Sequence, residues 1–600
     1  MSRMLFLARH SGGVEPLGLH YLVQVAINEG WECEVVLVRG SDFEPFYEMV
    51  NTWKPNLVAC HIWTGYHLPM FSACDWVRER GIPVIMGGPH ATYSHEQCVH
   101  HADWVVRGSG FGYLQQALKG ALSKGVHFNA HGRREMFPVP SRRPLYDRYP
   151  EFAKSPIKSH FCSVGCPYHC TYCYADKFNE MHGGFDLILR SIDDVIREAQ
   201  IVMEGWPETK MFYFQDDVFG FDLRWLEEFA RRWKSEVGVP FHCQMRLEMT
   251  RHLAGDRRLD LLAKAGCTGI TLAIESGSAF LRKEVLFRAM PHELIVEGCR
   301  KIMARGGMSL RTEQILAVPF SDIATDLGTL ALNREINPTH AWASILSPYP
   351  FVNIGRMATA FGMFSGDQDG LLESFFLQSV MRHLAGGPCD IERIVAGLRK
   401  SRQKEPLLRM HAVRREGSLV ADVFYTPDAR EVSRGDKEVE NVGQITFLSD
   451  SENAHYCMQT ARLHRFFNWL PRLPYGEELG RILVDVPESE WTWARVGRET
   501  FKHLRKYYSS GTLEGWVHSL AYQMGCASPD DLPQAIAQNP LYFCYFTGGG
   551  ELARTMLRKG VFDPIIGIDK ALIGVNNEAR NQIFETELYQ IRGGPARIAR

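Results

Sequence analysis

Between Cys162 and Tyr174 the chain reads Cys-Ser-Val-Gly-Cys-Pro-Tyr-His-Cys-Thr-Tyr-Cys-Tyr, and no other stretch constrains it as tightly. Four of its 15 cysteines fall within twelve residues, three of them spaced Cys166-x3-Cys170-x2-Cys173. Thiols this dense on one loop read as a metal site. A structural zinc site takes four ligands, usually from two knuckles of paired cysteines or cysteine with histidine, and the sequence offers no second knuckle. Three thiolates instead suit three irons of a cubane iron-sulfur cluster, which normally takes four protein ligands. The fourth iron is then open to a substrate. A zinc or purely structural site is the alternative, and Cys162 is either a fourth ligand that closes the cluster or a free thiol on the preceding strand.

Length and charge narrow the surroundings of this loop. Six hundred residues give room for three or four domains with sizeable cores. The 67 basic and 69 acidic residues leave a net charge of -2, so no nucleic-acid partner is expected. The apolar run at residues 4–8 is too short for a signal peptide and no apolar stretch is long enough to span a bilayer, so no membrane association is expected. The remaining cysteines sit mostly singly in apolar segments, which indicates reduced thiols and a cytoplasmic protein.

Strand-like runs at 4–8, 34–39, 57–63, 84–86 and 104–106 alternate with helical patterns at 43–52, 68–79 and 95–99. This alternation predicts an α/β, Rossmann-like, doubly wound parallel sheet whose ligand site lies at the carboxyl ends of its strands. Those ends carry Gly12-Gly13, Gly65, Gly87-Gly88-Pro89-His90 and Gly108-Ser109-Gly110. The Gly-x-Gly-x-x-Gly dinucleotide fingerprint is missing, as is the acidic cluster of a response regulator. Residues 126–158 are rich in Pro, Arg and His without a period and read as a linker. Beyond them strands end in polar residues: Gln215-Asp216-Asp217, Arg246, Glu275-Ser276-Gly277, and a strand carrying Arg311, Glu313 and Gln314. Six βα units over 159–358 predict a partial (β/α)6 barrel. Residues 359–600 read as mainly α-helical, with one extended stretch at 420–425, and as a possible cap over a substrate.

The cysteine spacing, with Tyr172 before the last cysteine, resembles the signature loop of radical S-adenosylmethionine (SAM) enzymes. That resemblance implies a 4Fe-4S cluster on Cys166, Cys170 and Cys173, its open iron chelated by the amine and carboxylate of SAM, and Tyr172 near the adenine. It implies Asp216 or Asp217 at the SAM amine and Arg246 at its carboxylate or ribose, since a guanidinium reads a carboxylate bidentately. Glu275, in Ala-Ile-Glu-Ser-Gly-Ser, is implied beside SAM or the cluster, and Glu313 toward cofactor or substrate. Each of these carboxylates is otherwise a solvated turn residue. Pro348-Tyr349-Pro350 is similar to the family's Pro-x-Pro-Gly-Thr string, with Phe351-Val352 in place of Gly-Thr.

Pro16-Leu17-Gly18-Leu19, Gly87-Gly88-Pro89-His90-Ala91-Thr92 and Val105-Val106-Arg107-Gly108 resemble, in that order, the cobalamin-binding domain that precedes the barrel in one large radical SAM subfamily. The likeness covers about residues 1–125. It implies cobalamin contacts from Gly12, Gly87, Gly88, Pro89, His90 and Gly108, with Trp63 or Tyr66 below the corrin unless both are core. The Asp-x-His-x-x-Gly string that supplies a lower ligand is absent; His67 is a second candidate for that role.

Together the resemblances imply a cobalamin-dependent C-methyltransferase. A 5′-deoxyadenosyl radical takes a hydrogen atom from a small-molecule or peptide substrate, and methylcobalamin supplies the methyl group. An external low-potential donor of flavodoxin or ferredoxin type would reduce the cluster. A cyclase, ring-contraction or oxidation enzyme without net methylation is the rival, and a non-catalytic sensor the more distant one.

Overall fold

The computed structural model describes residues 1–503, apart from 11–14, 130–136, 185–186, 306–307, 375–376, 403–408, 415–416, 427–439, 468–469, 473–475, 492–494, 496–498 and 500–501. Gly12 and residues 504–600 of the region read as mainly helical therefore lie outside the described residues.

Five apolar residues, Met4 to Ala8, are wholly buried in the first strand. Leu5 and Leu7 join one core with Phe46 and Met70, while Met4, Phe6 and Ala8 join another with Leu19 and Val23. A strand covered on both faces reads as an unbroken apolar run. This strand, β1 (Arg3–Arg9), is followed by β2 (Glu32–Val38), β3 (Leu57–His61), β4 (Val84–Gly87), β5 (Trp104–Arg107) and β6 (Gly125–Phe128). All pair in parallel in the order β2-β1-β3-β4-β5-β6, so the topological switch point, where such sheets bind ligands, lies between β1 and β3.

Strand β6 and the short helices Arg143–Tyr146 and Pro150–Ala153 fall in the stretch read as a linker without period, which is a correction. β6 is an edge strand with two exposed and two half-buried residues, so no alternation marks it.

The second sheet is a curled half-barrel. Its strands are β7 (Ile157–His160), β10 (Met211–Phe214), β11 (Phe241–Met245), β12 (Cys267–Glu275), β13 (Ser309–Leu316) and β14 (His340–Ile345), parallel and in sequence order. A small antiparallel ribbon, β8 (Ser163–Val164) and β9 (Ile188–Leu189), flanks the cysteine loop. The outer helices follow the 3.6-residue period. Leu223–Glu236, capped by Asp222, buries Leu226, Phe229, Ala230 and Trp233, the last with its ring 5.5 Å from Phe212 of β10.

After the barrel, three antiparallel strands, β15 (Met410–Arg414), β16 (Val420–Tyr425) and β17 (Glu440–Thr446), correct the reading of one extended stretch in a helical region. Only β16 alternates fully; β17 buries just Ile445 among its seven residues, too little for a periodic signal. Helix Asp450–Phe466 starts on a capping box between Ser449 and Glu452. Among the described residues no helix is long and apolar enough to cross a membrane.

One buried ionic network ties the first sheet to the second. Arg142 donates to Glu15, to Glu198 Oε1 (3.0 Å) and to the Ser159 carbonyl (2.7 Å). Glu198 also takes Arg190 (2.7 Å) and the Tyr21 hydroxyl (2.9 Å), while Glu15 takes Tyr146 (2.7 Å) and the Ser159 N–H (3.1 Å). Burial alone would raise both carboxylates. Arg142, His20 and Lys158 override it and hold Glu15 at about 2, and His160, Arg190 and Arg142 hold Glu198 at about 2.

Both folded values lie below the ordinary 4.5, so protonation favours the unfolded chain. The contribution is complete above pH 4.5 and lost as pH falls toward 2. Glu198→Gln, which leaves Arg142 and Arg190 short of buried counter-charge, is expected to cost about 3–5 kcal/mol in urea unfolding at pH 7. It should also flatten the loss of stability on acidification.

Candidate functional site

The cysteine loop sits at the carboxyl end of the half-barrel and is fixed by hydrogen bonds to the surrounding chain. Asn179 donates to the Cys166 carbonyl (2.8 Å), the Thr171 hydroxyl donates to Val285 O (2.6 Å), and Ile354 N–H donates to Thr171 O (2.8 Å). Asp216, at the end of β10, accepts the Cys162 N–H on both oxygens (3.0 and 3.1 Å) and the Ser163 hydroxyl (2.5 Å). It is buried, and burial pushes its carboxyl up to about 7. Asp216 thus props the loop, whereas Asp217 is exposed. Cys162 is buried in the barrel's apolar core.

Cys173 caps helix Tyr174–Met181, its sulfur accepting the Ala175 N–H at 3.5 Å, and Cys170 accepts Arg246 Nη1 at 2.8 Å. Burial pushes the Cys166 thiol up to about 11 and raises Cys173 as well, so metal binding must displace their protons. Among the described residues no three His, Cys, Asp or Glu side chains converge enough to hold one metal ion. A cubane asks less, because each thiolate meets its own iron, and three thiols on one tight loop, two of them receiving N–H donors, fit it.

Beside the loop lies a buried constellation that spacing alone did not reveal. Arg246 grips Glu248 through Nε (3.2 Å) and Nη2 (2.5 Å) and stacks over Tyr168 at 3.8 Å. Tyr172 donates its hydroxyl to Glu275, which also takes Arg288 Nη1 at 3.1 Å. Burial raises the Glu275 carboxyl despite Arg288. Glu275 has φ 72° and stands at a register shift of β12, a strained backbone that re-aims its side chain. Gly277 follows because a Cβ there would lie 2.6 Å from the Gly328 backbone. Arg288 Nε is buried without an acceptor. Arg288 and Glu248 belong to no recognisable motif; only the fold brings them to Tyr172 and Arg246.

Further along, Thr312 of β13 bonds outward to Asn333 (2.6 Å), so by alternation Arg311 and Glu313 share the opposite, inner face. They pair with each other at 3.0 Å, and Arg311 lies over Trp342.

At the first sheet the candidate residues separate. Tyr66 is core: buried, its hydroxyl on Gly40 O and its ring under Arg9. Trp63 is exposed and donates Nε1–H to His61 Nδ1 at 3.0 Å. His61 therefore carries its own proton on Nε2. His67 accepts the Gly65 N–H on Nδ1 (3.2 Å), which leaves Nε2–H for Asp369 (2.8 Å). His90 meets Thr64 Oγ1 and Gln97 Oε1, each at 3.0 Å. Both nitrogens of His67 and of His90 are engaged, and burial lowers His90 to about 3. Gly88, at φ 100°, sits where a Cβ would come within 2.7 Å of His61. Gly87 has open space in front of it, Pro89 begins the short helix Pro89–Tyr93, and Gly108 N–H donates to Thr92 (3.1 Å). Residues 368–373 reach over these strand ends: Gln368 to Ser94 (2.5 Å), Asp369 to Gln97 (3.0 Å), and the Glu373 carbonyl to Arg9 (2.7 Å).

The two regions touch. Tyr93, just after β4, donates its hydroxyl to the Tyr174 carbonyl next to Cys173 (3.2 Å) and stacks on Phe351 at 4.4 Å. Phe351 in turn stacks on Tyr349, so the departure from Gly-Thr after Pro350 supplies an aromatic contact to the first domain.

Comparison with known proteins fits this layout. Residues 161–320 match the family model described as the radical SAM superfamily, and residues 5–118 match the B12 binding domain. The chain is 23% identical over 374 residues, 58% of its length and 78% of the relative's, to the uncharacterized methyltransferase PH0819 of Pyrococcus horikoshii. It is 21% identical over 299 residues, 47% of its length and 63% of the relative's, to the bacteriochlorophyllide d C-8(2)-methyltransferase of Chlorobaculum tepidum. Among solved structures, the cobalamin-dependent S-adenosylmethionine radical enzyme OxsB superposes on 99% of this chain and 84% of its own, with a TM-score of 0.50 and 14% identity, a likeness of fold. These domains carry a 4Fe-4S cluster, SAM and cobalamin as cofactors.

The two adjacent aspartates should part in a stability measurement. Asp216→Ala, which strips the Cys162 N–H of its acceptor, is expected to cost about 1–3 kcal/mol in urea unfolding. Asp217→Ala, at an exposed carboxylate that does not hold the Cys162 N–H, should cost less than Asp216→Ala in the same measurement.

Proposed function

We propose that this cobalamin-binding radical SAM enzyme is a methyltransferase acting on a carbon centre of a small-molecule or peptide substrate. The observation that carries the reading is the Tyr93–Tyr174 contact, which sets the strand ends of the B12-binding sheet against the cysteine loop. A substrate held there meets both cofactor sites at once. When bound, the cluster and SAM supply one-electron chemistry, and methylcobalamin supplies a transferable methyl group.

The chain's own residues divide the remaining work. Cys166, Cys170 and Cys173 would hold three irons, with Asp216 keeping their loop in place. Asp217, exposed beside the loop, would take the SAM amine. Arg288, whose Nε–H is buried without an acceptor, would take its carboxylate, and Glu275 would orient Arg288 and Tyr172. On the other side Gly87, Gly88, Pro89, His90 and Gly108 would line the cobalamin, with Trp63 as the aromatic toward its lower face. His61, His67 and His90 are held as Nε2–H tautomers by Trp63, Gly65 and Gln97, and would give cobalt no nitrogen. Glu313 and Arg311 would face the substrate from the barrel wall. A low-potential flavodoxin or ferredoxin would deliver the electron, in a reducing compartment such as the cytoplasm.

The second reading, radical cyclisation, ring contraction or oxidation without net methylation, keeps the same cofactors. It gains support from the likeness of fold to the cobalamin-dependent S-adenosylmethionine radical enzyme OxsB over 99% of this chain. The test is anaerobic. Protein reconstituted with iron, sulfide and methylcobalamin is given reductant, SAM and candidate substrates, and 5′-deoxyadenosine and S-adenosylhomocysteine are quantified together. Methyl transfer requires both, a product heavier by one methylene unit, and loss of 5′-deoxyadenosine in the triple Cys166→Ala, Cys170→Ala, Cys173→Ala variant. Deoxyadenosine with a converted substrate but no methyl gain would select the second reading; a loaded protein that never cleaves SAM would overturn both.

A further inference from the structure

We propose that Arg246 sets the reduction potential of the cluster by holding a guanidinium N–H on the sulfur of Cys170, an inference that rests on Cys166, Cys170 and Cys173 being the cluster's ligands. The three sulfurs are not equivalent. Cys173 receives a backbone N–H at 3.5 Å, whereas Cys170 receives a charged donor at 2.8 Å. Arg246 is 7% exposed and has little freedom. Its Nε and Nη2 are taken by Glu248, and Tyr168 lies flat against the guanidinium. The fork has five N–H donors in a fixed plane, so fixing one edge on Glu248 aims Nη1 at the sulfur.

Cluster reduction takes one electron from the low-potential donor and breaks no bond. The added negative charge spreads over the sulfurs, where a charge-assisted N–H donor stabilises it more than it stabilises the oxidised cluster. Hydrogen bonds to the sulfurs and local charge are what set such potentials, and burial strengthens the effect. Glu248 leaves the pair formally neutral, so the influence on Cys170 comes from the directed N–H and the orientation of the pair. Arg246 is here a positioning residue, distinct from a reader of the SAM carboxylate.

The experiment is an anaerobic redox titration of the full chain, reconstituted with iron and sulfide and free of SAM and cobalamin, followed by the EPR signal of the reduced cluster. Iron and sulfide are counted first in the parent, Arg246→Met, Arg246→Lys, and Arg246→Met combined with Glu248→Gln. The double variant removes the hydrogen bond without changing the formal charge. At a fixed applied potential the reduced-to-oxidised ratio is expected to fall about tenfold in both Met variants, which for a one-electron couple is a shift of about 59 mV to more negative values. Arg246→Lys should lie between them and the parent. Parent-like potentials in a fully loaded double variant overturn the proposal. If the Met variants hold no cluster, Arg246→Lys decides, and an unchanged potential there overturns it equally. A parent that takes up no cluster removes the cysteine reading itself, while a loaded parent with indifferent variants removes only the assignment to Arg246.

Discussion

Where the first sheet, the connecting segment and the half-barrel meet, two carboxylates and two guanidinium groups are buried together. Glu15 comes from the first domain, Arg142 from the connection, and Arg190 and Glu198 from the barrel. Charges removed from water cost several kcal/mol each unless their geometry is nearly complete. Here the carboxylates are well served, each also accepting a tyrosine hydroxyl, and Arg142 reaches a main-chain carbonyl, while Arg142 Nε and Arg190 Nε and Nη2 are buried without acceptors. Such a cluster adds little net stability over apolar packing, but it tolerates few alternative placements. It fixes how the strand ends of one sheet stand relative to the loop of the other.

That fixed relation gives the cysteine loop its surroundings. The loop is held by Asp216, by Asn179, by the bond from its own Thr171 to the Val285 carbonyl, and from across the domain boundary by Tyr93. Its thiols are presented to donors that favour their charged form, Ala175 N–H and Arg246. The chain's own hydrogen bonds thus tie the loop down, which lowers the cost of ordering it on binding. The same logic holds at the first sheet, where Trp63, Gly65 and Gln97 orient three histidines by their hydrogen bonds.

Much of this was legible in the chain itself. The cysteine spacing marked the loop, and the unbroken apolar run of β1 and the polar strand ends marked two parallel sheets. What escaped was whatever depends on contacts between segments far apart in sequence. Asp216 and Asp217 are neighbours of identical type, and only the fold turns one inward to Cys162 and the other outward. Arg288 lies in an irregular segment without a motif, yet it is the buried partner of Glu275. Asp369 lies about 300 residues from His67, and its effect on that histidine has no local signature. Tyr66 and Trp63 look alike as candidates for the corrin face, but the first is sealed against Gly40 and Arg9 while the second is open. The strands β6 and β17 were missed for a different reason: neither buries enough apolar surface to impose a period.

The central claim is spatial, that one chain presents a cobalamin and an iron-sulfur cluster to the same substrate space. Pulsed EPR on protein loaded with cob(II)alamin and the reduced cluster measures this without any knowledge of the substrate. Sites that face each other across the Tyr93–Tyr174 contact require a resolved dipolar coupling between the two paramagnets. Full loading of both centres with no detectable coupling would contradict it.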